Sequence, residues 1–198
     1  RKALELGSGP VLLFVGRIQP LKGADVAVRS LAELGRKDAV LLIVGGASGT
    51  EGETELAHVH SLIEELGVEG QVRFVAPQPH HILSTYYRAA DVVLVPSRSE
   101  SFGLVALEAA ACGIPVVATA VGGLLNIIED GRTGFLVPDR QPDIFARHIA
   151  TILDDPSVAA NMSAQAAERA KAYTWSFAAA RLRRAYTDLT SRDRVVCK

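Results

Sequence analysis

Short apolar runs alternate with longer helical patterns along most of the chain. Six of the runs show little period-2 alternation, which is typical of parallel strands that are buried on both faces of a sheet. These runs are residues 11–16, 39–45, 72–76, 91–96, 115–118 and 134–137. We therefore predict six strands, each covered on both sides by helices.

The segments between these runs have a helical period. Between residues 24 and 34, apolar side chains recur every three or four positions, and Gly35 supplies a C-terminal stop. Further helices are predicted over residues 55–66, 81–90, 103–112, 142–153, 156–173 and 176–189, with a single turn at 126–129. Repeated strand–helix–strand units predict an α/β fold with right-handed crossovers. The expected architecture is a doubly wound, six-stranded, parallel Rossmann-like sheet followed by C-terminal helices.

We predict one domain over residues 11–190. Residues 1–10 contain Gly7-Ser8-Gly9-Pro10 and are interpreted as the remnant of an interdomain linker. Residues 191–198 are interpreted as a frayed tail.

Composition narrows the possible classes of function. The chain has 198 residues, of which 48% are hydrophobic and 22% charged, as in a globular protein with a large core. The net charge of −1 gives no electrostatic footprint for nucleic acid. No apolar run reaches the roughly 20 residues that span a bilayer, so we expect no transmembrane segment. Two cysteines do not indicate a disulfide framework, and a reducing cytoplasm is expected. Cys112 is interpreted as a small core residue in preference to a nucleophile.

Two cations follow the first predicted strand. Ligands bind such sheets at the carboxyl ends of the strands, so the loops that follow strands are where chemistry is expected. Arg17 and Lys22 lie five residues apart in one such loop, just before a helix that starts near Ala24. Two cations beside a helix N-terminus attract a polyanion. The alternative is two solvated surface charges.

The most informative stretch follows the fourth strand. Between Gly103 and Ile128 the only charged residue is Glu108, which lies within an apolar helix. A buried carboxylate is costly unless it is hydrogen-bonded, so Glu108 is a candidate acceptor for the hydroxyls of a ribose. The alternative is an exposed glutamate on a helix surface.

The loop ahead of this helix adds a second carboxylate. Glu100 could accept hydrogen bonds from sugar hydroxyls, or it could cap the helix. Gly103 allows a ligand to approach the backbone closely, and the N–H groups of Phe102, Gly103 and Leu104 would point at a bound phosphate.

Other patterns are weak or absent. The Gly122-Gly123 pair and the glycine-rich loop 45–49 each follow a strand, but either could be an ordinary turn. No G-x-G-x-x-G or P-loop motif is present, which argues against a nicotinamide dehydrogenase and a P-loop hydrolase. The five histidines lack metal-ligand spacing, and we expect surface or packing roles for them and no metal site.

Taken together, these loops resemble glycosyltransferases of family 4, which have the GT-B fold. The resemblance extends from about residue 11 to 189. It is carried by Val15-Gly16-Arg17 through Lys22-Gly23, the E-x7-E pattern from Glu100 to Glu108, Ala110 through Ala118 with Gly122-Gly123, and Asp130-Gly131 through Val137. It implies that the chain is one half of a GT-B fold, the C-terminal donor-binding domain.

The resemblance also implies roles for particular residues. Arg17 and Lys22 would hold the donor pyrophosphate and stabilise the departing diphosphate. Glu100 would bind hydroxyls of the transferred sugar, and Glu108 would bind the ribose. The other donor-binding residues that it implies are Gly16, Phe102, Gly103, Leu104, Val75 and Gln78, of which the last two lie near the base. The reaction would retain the anomeric configuration, with no metal and no cofactor beyond the nucleotide-sugar donor.

The implied reaction is transfer of a hexose or N-acetylhexosamine to a small hydroxyl acceptor. Within the family, Arg17 through Lys22, loop 45–49 and residues 99–111 are similar to the D-inositol-3-phosphate glycosyltransferases of mycothiol synthesis, which favours UDP-N-acetylglucosamine or UDP-glucose as donor. The partner is an N-terminal acceptor-binding domain absent from this chain, so the isolated domain is expected to be inactive. Two alternatives remain: a stand-alone nucleotide-binding module, and a non-hydrolysing sugar-nucleotide epimerase, against which the spacing of Glu100 and Glu108 argues.

Overall fold

Six parallel strands form one sheet in the computed structural model, which describes residues 1–191. The strands are β1 Val11–Val15, β2 Val40–Val44, β3 Val72–Val75, β4 Val92–Val95, β5 Val116–Thr119 and β6 Gly134–Val137. Their spatial order is β3-β2-β1-β4-β5-β6, and every neighbouring pair is parallel. The predicted six-stranded, doubly wound α/β fold is confirmed.

Eight α-helices connect and follow the strands within the described residues. They are α1 Ala24–Leu34, α2 Gly52–Leu66, α3 His80–Ala89, α4 Leu104–Ala111, α5 Leu124–Ile127, α6 Pro142–Asp154, α7 Pro156–Ala170 and α8 Trp175–Ser191. Two short 3-10 helices, Lys2–Leu4 and Glu69–Gln71, complete the list. The predicted frayed tail, 191–198, lies outside the described residues except for its first residue.

The order of the strands reverses between β1 and β4. The chain builds outward from β1 to β3 and then returns to place β4 on the other side of β1. The loops after β1 and β4 therefore start side by side but lead to helices on opposite faces of the sheet. Such a reversal opens a crevice at the carboxyl ends of the two strands, where α/β proteins bind ligands.

Alternate residues of each strand enter two separate apolar layers. Leu12 and Phe14 of β1 pack with α1, α2 and α6 on one face, whereas Leu13 packs with α3 and α4 on the other. Both layers consist of fully buried aliphatic and aromatic side chains, and this burial is the main favourable contribution to folding. The strands are buried on both faces because helices cover both.

Strand β3 departs from that expectation. Its middle residues Arg73 and Phe74 are exposed, so the prediction that every strand is buried on both faces is wrong for this one. This strand lies at one end of the sheet, where the flanking helices leave these two side chains uncovered. Four helices differ from their predicted limits by two or three residues: α2 begins three residues before the predicted start, α5 begins at Leu124 instead of residue 126, α7 ends at Ala170 instead of residue 173, and α8 ends at Ser191 instead of residue 189.

The first ten residues pack against the domain. Leu6 is buried on the layer that contains α3 and α4. The Arg1 guanidinium donates to the carbonyl of Ala89 and lies 2.6 Å from the Asp91 carboxylate. The division of the chain into a linker and a domain at residue 10 stays a prediction.

Helix α8 contains no buried residue. Its large apolar side chains are exposed: Trp175, Phe177, Leu182, Tyr186 and Leu189. Within residues 1–191, no helix combines the length and the hydropathy that a membrane crossing needs.

The same substitution should have different effects in α1 and in α8. Leu31 is 1% exposed in the core, whereas Leu182 is 55% exposed. We expect Leu31→Ala to lower the free energy of unfolding by about 2–5 kcal/mol, because it leaves a cavity. Leu182→Ala should change it by less than about 0.5 kcal/mol. Urea unfolding of both variants tests this, and equal losses would contradict the burial described for the two helices.

Candidate functional site

A cavity of about 400 Å³ opens at the carboxyl ends of β1 and β2. Two predicted site residues of the β1–α1 loop, Gly16 and Arg17, line it together with Gln78, which follows β3. The other lining residues are Val15, Val44, Gly45, Gly46, Ala47, Ser48, Pro77 and Leu83. The glycine-rich loop after β2, which the sequence left open as a turn, is thus a wall of this cavity.

The walls of the cavity are set by close backbone contacts. A Cβ atom at Gly45 would lie 1.8 Å from the Gly16 carbonyl oxygen, so glycine is required there for the two loops to meet. The Gln78 side chain donates to the carbonyl of Ala76 at 2.9 Å. Val75 is absent from the lining and packs, half-buried, against the core beneath.

Arg17 contributes the positive charge of the cavity. Its side chain is exposed, and it forms no ion pair with any of residues 1–191. A guanidinium without an acidic partner is available for an anion, which it can bind through two parallel hydrogen bonds.

Lys22 and Glu100 join the loops after β1 and β4. The Lys22 Nζ atom lies 2.7 Å from Glu100 Oε2, and the two side chains are only 22% and 16% exposed. The structure therefore brings these two predicted residues into direct contact across the crevice. Glu100 is occupied by this ion pair and does not cap α4, which was the alternative role.

Arg140 fixes the position of the Lys22 loop. Its Nε donates to the Pro96 carbonyl at 2.8 Å, and its Nη2 donates to Asp25 at 3.0 Å. Gly23 packs beneath both groups, since a Cβ there would lie 2.4 Å from the Pro96 oxygen. Arg140 could not be identified from the sequence, because its partners lie 44 and 115 residues away.

The start of α1 lies next to this packing. Gly23, which precedes the helix, and Ala24, its first residue, are buried, and no side chain caps the first N–H groups. That the α1 N-terminus assists Arg17 and Lys22 stays a prediction.

The N-terminus of α4 is open. Gly103 adopts a φ of +96°, and no side chain caps the first N–H groups of the helix. Phe102 and Leu104, on either side, are 44% and 61% exposed. The uncapped amides carry the partial positive charge of a helix start and suit an anion.

The Gly122-Gly123 pair supports the Glu100 backbone from the β5–α5 loop. The Gly123 N–H donates to the Glu100 carbonyl at 2.8 Å. A Cβ at Gly122, whose φ is +48°, would lie 2.0 Å from the same carbonyl oxygen. Only glycine combines this left-handed backbone with so close an approach.

Both carboxylate oxygens of Glu108 have partners on α3. The Tyr87 hydroxyl donates to Oε2 at 2.7 Å, and His80 Nε2 lies 2.8 Å from Oε1. The Glu108 side chain is 24% exposed, in agreement with the expectation of a partly buried, hydrogen-bonded carboxylate. Tyr87 is buried and was not identified from the sequence, whereas His80 is exposed and can move away.

Burial, reinforced by the hydrogen bond to Glu108 and its negative charge, raises the pKa of Tyr87 well above its usual range. The phenol therefore stays protonated and donates at all ordinary pH values. Tyr87 holds one oxygen of Glu108 in place, and the other oxygen contacts His80, whose side chain is 83% exposed.

Two other groups show no sign of separate chemistry. Burial raises the pKa of the Cys112 thiol, and the residue packs half-buried against the core, as a structural cysteine does. Within the part of the chain that the structure describes, no group of three histidine, cysteine, aspartate or glutamate side chains could hold a metal ion.

The candidate site thus has three parts: the cavity with Arg17, the Lys22–Glu100 pair that joins the loops after β1 and β4, and the Glu108 carboxylate on α4. Neither the ion pair nor Glu108 lines the cavity. Cations and amides suit a phosphate group, and carboxylates suit hydroxyl donors.

Sequence comparison gives the family. Residues 1–170 match the family model described as Glycosyl transferases group 1. D-inositol 3-phosphate glycosyltransferase 2 from Catenulispora acidiphila is 48% identical over 189 residues, which are 92% of this chain and 43% of that protein. The Kribbella flavida D-inositol 3-phosphate glycosyltransferase is 47% identical over 186 residues, which are 91% of this chain and 44% of that protein. The chain therefore spans less than half the length of these relatives.

Solved structures agree in fold. Sucrose-phosphate synthase from Thermosynechococcus elongatus superposes with a TM-score of 0.88 at 36% identity, over 96% of this chain and 48% of that one. Anabaena Alr3699/HepE in complex with UDP-glucose gives 0.86 at 28% identity, over 97% and 51%. The C-terminal domain of a group 1 glycosyl transferase (LpcC) from Francisella tularensis gives 0.77 at 23% identity, over 87% and 89%, and shows that this fold has been crystallised as a separate domain.

The Tyr87–Glu108 contact predicts a specific dependence of stability on pH. Because the folded-state pKa of Tyr87 lies above the unfolded value of about 10, the unfolded chain loses this proton first as the pH rises. The stabilisation is complete below pH 10, and above it the free energy of unfolding should fall by about 1.4 kcal/mol per pH unit. Tyr87→Phe should lack this fall.

Urea unfolding between pH 8 and pH 11 measures the effect. Tyr186→Phe, a change at an exposed position on α8, is the matched control and should keep the wild-type pH dependence. Parallel curves for wild type and Tyr87→Phe would contradict the raised pKa that burial and the Glu108 contact give to Tyr87.

Proposed function

The chain belongs to the glycosyl transferases group 1 family, and from this premise we propose that it is the donor-binding half of a retaining glycosyltransferase. The observation that carries the proposal is the meeting of the β1 and β4 loops at the switch point of the sheet, where Lys22 and Glu100 are 2.7 Å apart. A nucleotide diphosphate sugar has its diphosphate between two hydroxyl-bearing groups, and the site offers cations and carboxylates in matching proximity.

The diphosphate binds Arg17, Lys22 and the open amides at the start of α4. When the bond between the sugar and the phosphate breaks, negative charge grows on the departing diphosphate. Fixed cations and uncapped N–H groups aimed at that charge stabilise the transition state without reorganisation. Loss of one such donor costs about 3 kcal/mol in well-studied enzymes.

The two carboxylates bind the two sugars of the donor. Glu108, held by Tyr87, accepts hydrogen bonds from the 2′ and 3′ hydroxyls of the ribose, while His80 swings away. Glu100 accepts from hydroxyls of the transferred sugar. The base lies beside Gln78 in the cavity that follows β1 and β2. No step requires a metal ion.

The donor is a UDP-sugar in this proposal. Alr3699/HepE, which has the same fold at 28% identity, was solved with UDP and with UDP-glucose. Relatives that are 47–48% identical carry the name D-inositol 3-phosphate glycosyltransferase. We therefore propose UDP-N-acetylglucosamine or UDP-glucose as donor and a small hydroxyl compound as acceptor.

The acceptor site belongs to a further domain. The relatives are more than twice as long as the stretch that matches this chain. In this proposal that additional domain binds the acceptor, and the 198-residue chain binds donor without transferring the sugar. The family match supports a transferase over a sugar-nucleotide epimerase.

The ribose assignment is tested by calorimetry with UDP and 2′-deoxy-UDP. Wild type should bind UDP about tenfold more tightly, because a hydrogen bond to a charged group is worth roughly 1.5–3 kcal/mol. Glu108→Gln should reduce this preference below about threefold. Glu129→Gln, on the α5–β6 connection, should keep it. A wild-type protein without preference between the two nucleotides would overturn the assignment.

The diphosphate assignment is tested with Arg17→Met. Binding of UDP should weaken by about ten- to a hundredfold, while binding of uridine should not change, because only the phosphate contact is lost. Arg147→Met, at an exposed position on α6, is the control and should leave both affinities unaltered. Equal weakening of UDP and uridine would show that Arg17 does not act on the phosphates.

A further inference from the structure

The ion pair between Lys22 and Glu100 occupies the place where the diphosphate is proposed to bind. The two charged atoms are 2.7 Å apart, and at 22% and 16% exposure most of both side chains is withdrawn from water. Charges that are partly desolvated interact more strongly than surface pairs, and separating them leaves each in need of a new partner. A ligand that binds Lys22 without also binding Glu100 has to break this ion pair, and the cost of breaking it weakens the affinity for that ligand.

Neither residue can escape by a movement of its backbone without disturbing the fold. Glu100 is held through its carbonyl by Gly123 and crowded by Gly122. The residue after Lys22, Gly23, is packed under Pro96. Both side chains thus start from backbone positions that packing holds, so a diphosphate that binds Lys22 lies close to the Glu100 carboxylate.

Neither residue has a second ion-pair partner within residues 1–191. Within residues 1–191, Lys22 and Glu100 each form one ion pair, and it is with each other. A phosphate that takes over Lys22 leaves the Glu100 carboxylate uncompensated and places a second negative charge beside it. Like charges at such short range in a site of reduced dielectric repel.

A sugar attached to the diphosphate changes this balance. Its neutral hydroxyls donate hydrogen bonds to the carboxylate and replace the ammonium as its partner. The Glu100 carboxylate then has hydrogen-bond partners, and the Lys22 ammonium is free to form an ion pair with the diphosphate. The nucleoside diphosphate and the sugar nucleotide differ only by the sugar. Glu100 weakens binding of the first and stabilises binding of the second.

We propose that Glu100 is a specificity-determining residue that selects the intact sugar nucleotide over the sugar-free nucleoside diphosphate. This inference rests on the proposed function and adds that the Glu100 carboxylate weakens binding of the nucleoside diphosphate, the product that remains after transfer of the sugar. Departure of the sugar restores the repulsion, the Lys22–Glu100 pair re-forms, and the diphosphate is expelled.

The test compares UDP with UDP-N-acetylglucosamine and UDP-glucose on the 198-residue chain by calorimetry. Glu100→Gln removes the negative charge but keeps the shape of the side chain. It should tighten binding of UDP by at least about threefold and leave the two sugar nucleotides unchanged or weaker. The affinity for UDP relative to that for each sugar nucleotide should therefore rise. Glu100→Ala should shift it in the same direction.

The control and the contrary outcomes are distinct. Glu129→Gln removes a carboxylate outside the crevice and should alter neither affinity. Unchanged or weaker binding of UDP by Glu100→Gln would overturn the proposal, and so would an equal gain for UDP and both sugar nucleotides, which indicates a general charge effect. If wild type binds UDP, either result contradicts only the role of Glu100 and does not contradict the proposed function. Failure of wild type to bind any of the three probes would overturn both.

Discussion

The reversal of strand order between β1 and β4 is the constraint on which the site depends. Because of this reversal, the loops after β1 and β4, which are far apart in sequence, lie side by side. The helices that follow the two loops pack on different faces of the sheet. Lys22 and Glu100 are separated by 78 residues and yet form an ion pair for this reason. The same reversal leaves the start of α4 open at the crevice. The groups proposed to touch the diphosphate, namely Arg17, Lys22 and the amides at the start of α4, lie on the two loops that this reversal brings together.

Close backbone contacts turn this topology into a precise site. Gly45 lets the loops after β1 and β2 touch, and Gly122 lets the β5–α5 loop support Glu100. Arg140 adds a polar link between the β6–α6 connection and Pro96. These contacts involve backbone atoms, so they hold loops in place without using the side chains that face the ligand. Charges that are fixed before a ligand arrives do not have to be reoriented when it reacts.

Much of this could be predicted from the sequence, and the exceptions have a common cause. Apolar runs and helical periods depend on local order, and they predicted all six strands and the helices. Arg17, Lys22, Glu100 and Glu108 were identifiable because charged residues stand out in apolar or strand-end segments. Tyr87 and Arg140 were missed because their roles arise from contacts between elements distant in sequence. The exposure of Arg73 and Phe74 in β3 depends on how far the helices cover that end of the sheet, which a run of apolar residues does not reveal.

The balance of charges at the crevice also indicates which kind of ligand it favours. Arg17 and Lys22 are balanced by Glu100 and Glu108, so the site is close to neutral, unlike a site built for free phosphate. A simple polyanion would gain from the two cations and lose to the two carboxylates, whose negative charge it cannot satisfy. In the proposed function, a ligand with hydroxyls on either side of a diphosphate satisfies all four side chains at once. Because the carboxylates would then disfavour anions that lack those hydroxyls, we expect them to contribute to selectivity more than to affinity.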